Sequence, residues 1–263
     1  MRTILFGDVH GCLDELKELV TQLNVGPSDR LVFVGDLMDK GPQPVETVRY
    51  VRELGAQMVC GNHEEKHLRW RKHEDKKRVN PDYTNPMRPL GPTHEAQNAA
   101  LSDEDVVWLN SLPTVLELAP GWVAVHGGVL PGKPLADQVA DKRTRGTMMR
   151  LRWVDENGKH VPVEYDENGK PSTVDGNHWT EVYDGKVNVV YGHEAHSLTE
   201  ARVDQQKQGT RTFGIDTGVV HGGHMTAMVV DSAEMEQGLD AHVEFVQVRA
   251  KVKYQPHPVF DAV

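Results

Sequence analysis

Five short polar clusters punctuate this chain, each built around glycine: GDVHG from residue 7, GDLMDKG from 35, GNHE from 61, HGG from 126 and GHE from 192. They supply Asp8, His10, Asp36, Asp39, Asn62, His63, His126 and His193. Taken singly, an Asp or His behind an apolar run is a turn residue. In combination, carboxylate, imidazole and amide oxygen suit a divalent first-row metal such as manganese, iron or zinc. Carboxylates buried among histidines need compensating charge, and two dications bring four units of it. Asp8 and Asp36 cancel two, leaving a surplus that attracts phosphate. This is the donor set of a two-metal hydrolytic site, with metals about 3.5–4 Å apart clamping the attacking and leaving oxygens. A water between such metals loses much of its pKa and becomes a nucleophile at neutral pH.

Such donors must be brought together by the elements that precede them. Each cluster follows a short apolar run, namely TILF, LVFV, QMVC, WVAV and VNVVY, and a sixth run, TFGI, ends in DTG. These runs read as buried strands. Between the first strands, Leu13, Leu16, Leu19, Val20 and Leu23 share one helical face, as do Val45, Val48, Val51 and Leu54. Strand and helix in alternation imply an α/β protein with a partly parallel sheet, which binds ligands at the carboxyl ends of its strands.

Three segments depart from this pattern. Residues 64–78, EEKHLRWRKHEDKKR, predict a solvated charged helix. Residues 79–94 carry Pro81, Pro86, Pro89 and Pro92 and predict an irregular loop able to cover a site. Residues 153–186 contain DENGK twice, at 155 and 166, and predict an insert of one or two hairpins. A short helix is expected in LSDEDVVWLNSLP, with Ser102 as N-cap and Asp103 to Asp105 in its first turn. FGIDTGVVHGGHMTAMVV reads as two strands around a glycine-rich turn. His67, His73, His94, His196, His221, His224 and His257 are expected at turns or on the surface, and Trp70, Trp108 and Trp153 in cores first, with the lining of a nucleotide site as the alternative. The expected organisation is one domain over residues 1–263 carrying the loop and the insert.

The bulk composition narrows the function classes. Acidic residues number 39 against 29 basic, a formal net charge of −10, which opposes non-specific binding to nucleic acid or to an anionic membrane. Only Cys12 and Cys60 are present, too few for a disulfide framework or a cysteine-built zinc site. The opening apolar run ILF is too short for a signal peptide, and no segment reaches the ~20 apolar residues of a membrane helix. A cytoplasmic location is the expectation.

The motifs GDVHG, GDLMDKG, GNHE, HGG and GH, in this order, resemble those of the calcineurin-like metallophosphoesterases. The likeness is to the phosphoprotein phosphatase superfamily, which includes the symmetrical diadenosine tetraphosphatases. The resemblance implies a four-layer α/β/β/α sandwich of two mixed sheets packed face to face, with helices outside and two divalent metals, manganese first, then iron or zinc. It implies Asp8 and His10 on one metal, Asp36 bridging, and Asn62, His126 and His193 on the second. His63 becomes the general acid, with Asp39 orienting its imidazole. Lys40, Arg150, Arg152 and Asn62 become the phosphate contacts, and Arg150 is favoured over Arg152, although spacing does not separate two arginines two residues apart.

Lys40 departs from the protein phosphatases, which carry arginine there; a point charge replaces a bidentate fork. Lys-Gly-Pro and TMMRLRW look closer to the tetraphosphatase branch, whereas Asp39 looks closer to the protein phosphatases. The expected substrate is therefore a phosphomonoester, phosphoserine or phosphothreonine foremost. Dinucleoside tetraphosphate or another polyphosphate stands close behind, and a catalytically inactive, metal-stabilised binding module comes last.

Overall fold

Uninterrupted apolar residues make strands buried on both faces, and these strands organise the molecule. A computed structural model describes residues 1–164, 172, 174–258, 260 and 261. Its strands are β1 (Arg2–Phe6), β2 (Arg30–Phe33), β3 (Gln57–Met58), β4 (Val115–Ala119), β5 (Trp122–Val125), β6 (Trp153–Val154), β7 (His160–Val161), β8 (Asn177–His178), β9 (Asn188–Tyr191), β10 (Arg202–Gln205), β11 (Arg211–Gly214), β12 (His224–Asp231) and β13 (Val243–Arg249). Its helices are α1 (Leu13–Gln22), α2 (Pro44–Glu53), α3 (Asn62–Val79), α4 (Pro92–Ala100), α5 (Asp103–Ser111), α6 (Leu135–Ala140), α7 (Lys142–Met148) and α8 (Ser232–Gln237).

Two mixed five-stranded sheets carry the fold, in the orders β13-β12-β1-β2-β3 and β10-β11-β9-β5-β4. Each has three parallel strands at its heart, β1, β2 and β3 in the first and β11, β9 and β5 in the second. Side chains alternate across a strand, and the packing follows that period. Ile4, Phe6, Leu31 and Phe33 face the cluster formed with Leu16 and Leu19 of α1 and Val48 and Val51 of α2. Leu5, Val32 and Val34 point the other way, into a second cluster with Ala124, Val190 and Phe213 of the opposing sheet. On the far face of the second sheet, Val123, Val125, Val189 and Tyr191 meet Met148 and Trp179. The layers are thus helices, sheet, sheet and an outer layer that includes α7.

All six runs read as strands from sequence are strands, and α1, α2 and α5 lie where periodicity places them, with Ser102 accepting from the Asp105 amide at 3.1 Å. FGIDTGVVHGGHMTAMVV forms two strands around a glycine-rich turn, as read from sequence. Its two strands, β11 and β12, belong to different sheets, so the Asp-Thr-Gly turn carries the chain from one sheet to the other and forms no hairpin. The loop after α3 gives way to α4 at Pro92, whose fixed φ suits a first helical turn. In the insert, β6 and β7 pair around the first DENGK, and β8 pairs with β6 on its other edge; the second DENGK, at 166–170, lies outside the described residues. Among the described residues no helix is long and apolar enough to cross a membrane.

Candidate active site

The carboxyl ends of the parallel strands converge. Asp8 and His10 follow β1, Asp36 follows β2, and Asn62 and His63 open α3 just behind β3. His126 follows β5, His193 follows β9 and Asp216 follows β11. The backbone here is unusual: of six non-glycine residues with positive φ among the described residues, five are His10, Asp36, Asp39, Lys40 and His193. Left-handed backbone is unfavourable for such residues and persists where surrounding structure over-determines it, as at functional sites. Two glycines explain why the motifs begin as they do. A Cβ on Gly61 would come within 2.2 Å of Asp36 Oδ1, and one on Gly192 within 2.1 Å of Asp8 Oδ1.

Two groups of metal-binding type form around Asp36. His10, Asp36 and His63 bring one ligand atom each within 4.8 Å of one another, and so do Asp36, His126 and His193. Asp8 stands beside the first, with its Oδ2 3.9 Å from His10 Nε2, and accepts the His193 amide at 3.1 Å. Asn62 Oδ1 lies 3.0 Å from His126 Nε2. Backbone carbonyls orient two of the rings, since His10 Nδ1 donates to Met38 O and His126 Nδ1 donates to Val34 O, both at 2.8 Å. Each ring therefore turns its Nε2 into the site, in the manner of outer partners that orient metal-ligating histidines.

The residues fit a divalent cation, and His193 shows it best: its buried Nε2 has no hydrogen-bond partner. Charge balance points the same way. Burial, with Asp216 nearby, pushes the Asp8 carboxyl well above the usual range. Burial opposes ionisation of Asp36 too, but His126 and His63 hold it well below that range. His126 is pulled down by burial and raised more strongly by Asp36 and Asp8, to about 9. Burial keeps His10 and His193 well below their usual value, aided by Lys40 and Arg152 respectively. Neutral imidazole is the form that binds metal, so a cation at His126 would have to displace the proton that Asp36 and Asp8 otherwise hold there.

The Asp39 carboxylate is a hub. Its Oδ2 accepts from His63 Nδ1 and Lys66 Nζ, its Oδ1 accepts from His67 Nε2 at 2.7 Å, and His94 Nε2 lies 3.4 Å away. Burial resists its ionisation, but the bonds from His63 and His67 hold it far below the usual carboxylate range. His67, expected at a turn or the surface, is instead fully buried, because this bond and its contact with Asn98 satisfy both ring nitrogens. Glu64, expected on a solvated helix, is also fully buried. Its two oxygens accept four backbone amides, those of Asp36, Leu37, Met38 and Gly61, at 2.9–3.1 Å. It thus fixes the loop that holds Asp36. The signal for Glu64 was its place three residues after Gly61, where a capping-box carboxylate sits.

The cations expected to contact phosphate border one cavity of about 330 Å³, lined by Lys40, Arg150 and Arg152 together with Asp36, Asn62, His63 and His193. Both arginines line the cavity, with Arg150 tied to Glu65 at 2.7 Å and Arg152 to the His193 carbonyl at 3.3 Å. Lys40 Nζ stands 2.8 Å from His10 Nε2, its ammonium donating to the ring nitrogen.

Comparison with known proteins identifies the family. Residues 1–225 match the family model described as calcineurin-like phosphoesterase. The chain belongs to that family. Among its calcineurin-like relatives is an asymmetrical bis(5'-nucleosyl)-tetraphosphatase of Bacillus subtilis, 31% identical over 237 residues, covering 84% of this chain and 88% of that protein. A symmetrical bis(5'-nucleosyl)-tetraphosphatase of Aromatoleum aromaticum is 38% identical over 135 residues, or 50% of this chain. The match spans 46% of that relative's length. A crystal structure of a provisionally named diadenosine tetraphosphatase superposes with a TM-score of 0.66 at 24% identity, over 95% of this chain and 93% of the other, and shares the fold.

Proposed function

We propose that this calcineurin-like phosphoesterase hydrolyses phosphoanhydride bonds of dinucleoside polyphosphates, diadenosine tetraphosphate foremost. The observation that carries the reaction type is the meeting of Asp36, Asn62, His63 and His193 with Lys40, Arg150 and Arg152 around one cavity. The choice of substrate changes from the sequence-based expectation. Phosphoserine stood first there; the relative that matches this chain over most of both lengths is named a dinucleoside tetraphosphatase, which supports the anhydride substrate.

In this proposal Asp8, His10, Asp36, Asn62, His126 and His193 hold two divalent ions, manganese foremost. Bound metals supply Lewis acidity and lower the pKa of water. Lys40 and the two arginines neutralise the polyphosphate chain, the arginines by planar forks and the lysine as a point charge. His63 delivers a proton to the leaving oxygen, while Asp39 holds its Nδ1–H and stabilises the imidazolium. Burial lowers the pKa of His63, which makes the imidazolium a stronger donor once formed. Asn62 serves the phosphate as well as the metal side of the cavity.

Product analysis tests this reading. With Mn²⁺ the protein is expected to convert diadenosine tetraphosphate to mononucleotides, and chelator is expected to abolish the conversion. A product of ADP alone marks cleavage at the centre of the chain; ATP with AMP marks the asymmetrical cut named for the Bacillus relative. An intact dinucleotide under Mn²⁺ contradicts the proposal.

A further inference from the structure

A second cavity opens beside the first. Its volume is about 590 Å³, and it shares Lys40, Arg152, Val163 and His193 with the smaller one. Away from the shared boundary its lining changes character, to Trp153, His196, His221, Gln255, His257 and Phe260, with the carboxylates of Glu194 and Asp216 also on its wall. Cations thus mark the junction with the catalytic cavity, and aromatic rings mark the space beyond it. This sorting matches a nucleotide, whose phosphates are anionic and whose base presents a π-face.

The geometry points to a nucleoside subsite in this recess, with the base stacking on Trp153 and on the His257–Phe260 pair; the inference rests on the nucleotide-hydrolase reading above. The volume lies within the roughly 300–1,000 Å³ of ordinary small-molecule sites. The rings are held by the fold. Trp153 belongs to β6, and its ring stands edge-on to His178 at 5.8 Å. His257 and Phe260 are tilted against each other with centroids 4.4 Å apart, and His221 meets His257 edge-on at 4.7 Å.

The carboxyl-terminal segment that supplies two of these rings is anchored at its base. The Tyr254 and Gln255 amides both donate to Val220 O at 3.0 Å, Gln255 Nε2 donates to Lys40 O at 3.2 Å, and Tyr254 Oη donates to Glu15 Oε1 at 3.0 Å. Gln255 therefore joins the recess to the loop that carries Asp39 and Lys40. Residues 255–260 also lie beyond residues 1–225, the part matched by the family model. The catalytic cavity is built from matched residues, while this wall of the recess lies outside the matched range. A phosphoserine side chain needs the first cavity alone, so the recess separates nucleotides from simple phosphomonoesters.

Base–aromatic stacking is sequence-tolerant, and loss of one ring is expected to weaken nucleotide affinity about tenfold. Phe260→Ala and, independently, Trp153→Ala are the variants. Phe260 is 40% exposed, so its truncation leaves the core intact even where loss of Trp153 disturbs β6. Calorimetry on the Mn²⁺-loaded protein would compare ADP with pyrophosphate, which lacks the nucleoside. The expected result is an ADP dissociation constant raised about tenfold with that of pyrophosphate unchanged, and a matching rise in KM for diadenosine tetraphosphate at constant kcat. Unchanged ADP affinity in both variants, or equal loss for ADP and pyrophosphate, overturns the subsite. A wild-type protein that binds ADP in this way but leaves the dinucleotide intact contradicts the hydrolase reading instead.

Discussion

His63→Asn is expected to lower kcat by about 10²–10⁴-fold while both metals stay bound, the usual range for removing a general acid. Asparagine keeps the backbone amide that donates to Asp36 Oδ1 at 3.0 Å, so the loop around Asp36 is undisturbed. What disappears is the ring that Asp39 grips. The size of the loss should depend on the leaving group. A phosphate released from an anhydride titrates near 6 and needs little help, whereas a serine alkoxide is about as basic as hydroxide and needs much more. The deficit is therefore expected near the lower end of the range for diadenosine tetraphosphate and near the upper end for a phosphoserine peptide. Steady-state kinetics on both substrates, with metal content measured by mass spectrometry, checks it. Equal activity of variant and wild type on both would remove His63 from the acid role.

Asp36→Asn is expected to do more damage by another route. Asp36 is common to both groups of metal-binding type, and its carboxylate holds His126 at 3.2 Å. Altering partners one shell out from a metal already costs about 10–100-fold in affinity or activity; neutralising a shared ligand is expected to exceed that. Native mass spectrometry should find fewer than two metals per chain, and kcat/KM should fall by more than about 100-fold. Retention of both metals and of activity would show that Asp36 does not bridge.

The sequence revealed most of the frame because the frame is repetitive. Each parallel strand is an apolar run ending in a glycine-bearing polar cluster, so strand and site residue were read together at GDVHG, GDLMDKG, GNHE, HGG and GHE. What stayed hidden depends on long-range contact. Glu64 and His67 sit in a run of charges with almost no apolar neighbours, and their helix buries a polar network where periodicity looks for apolar side chains. His94 approaches Asp39 only because α4 folds back against α3. The crossing at Asp216 stayed hidden because local turn chemistry does not say which sheet each flanking strand joins. β13, VEFVQVR, breaks simple alternation at Phe245 and Val246, because Val243 and Phe245 pack on one face of the sheet and Val246 and Val248 on the other. The meeting of residue 153 with residues 257 and 260 in one recess had no local signal at all.

The most direct test of the central claim is a competition between two substrates in one tube. Diadenosine tetraphosphate and a phosphoserine peptide would be mixed at equal concentration with Mn²⁺, and the ratio of kcat/KM read from their initial rates of loss. The expected result is preference for the dinucleotide, abolished by chelator. Preference for the phosphopeptide would contradict the claim and return the site to phosphomonoester chemistry.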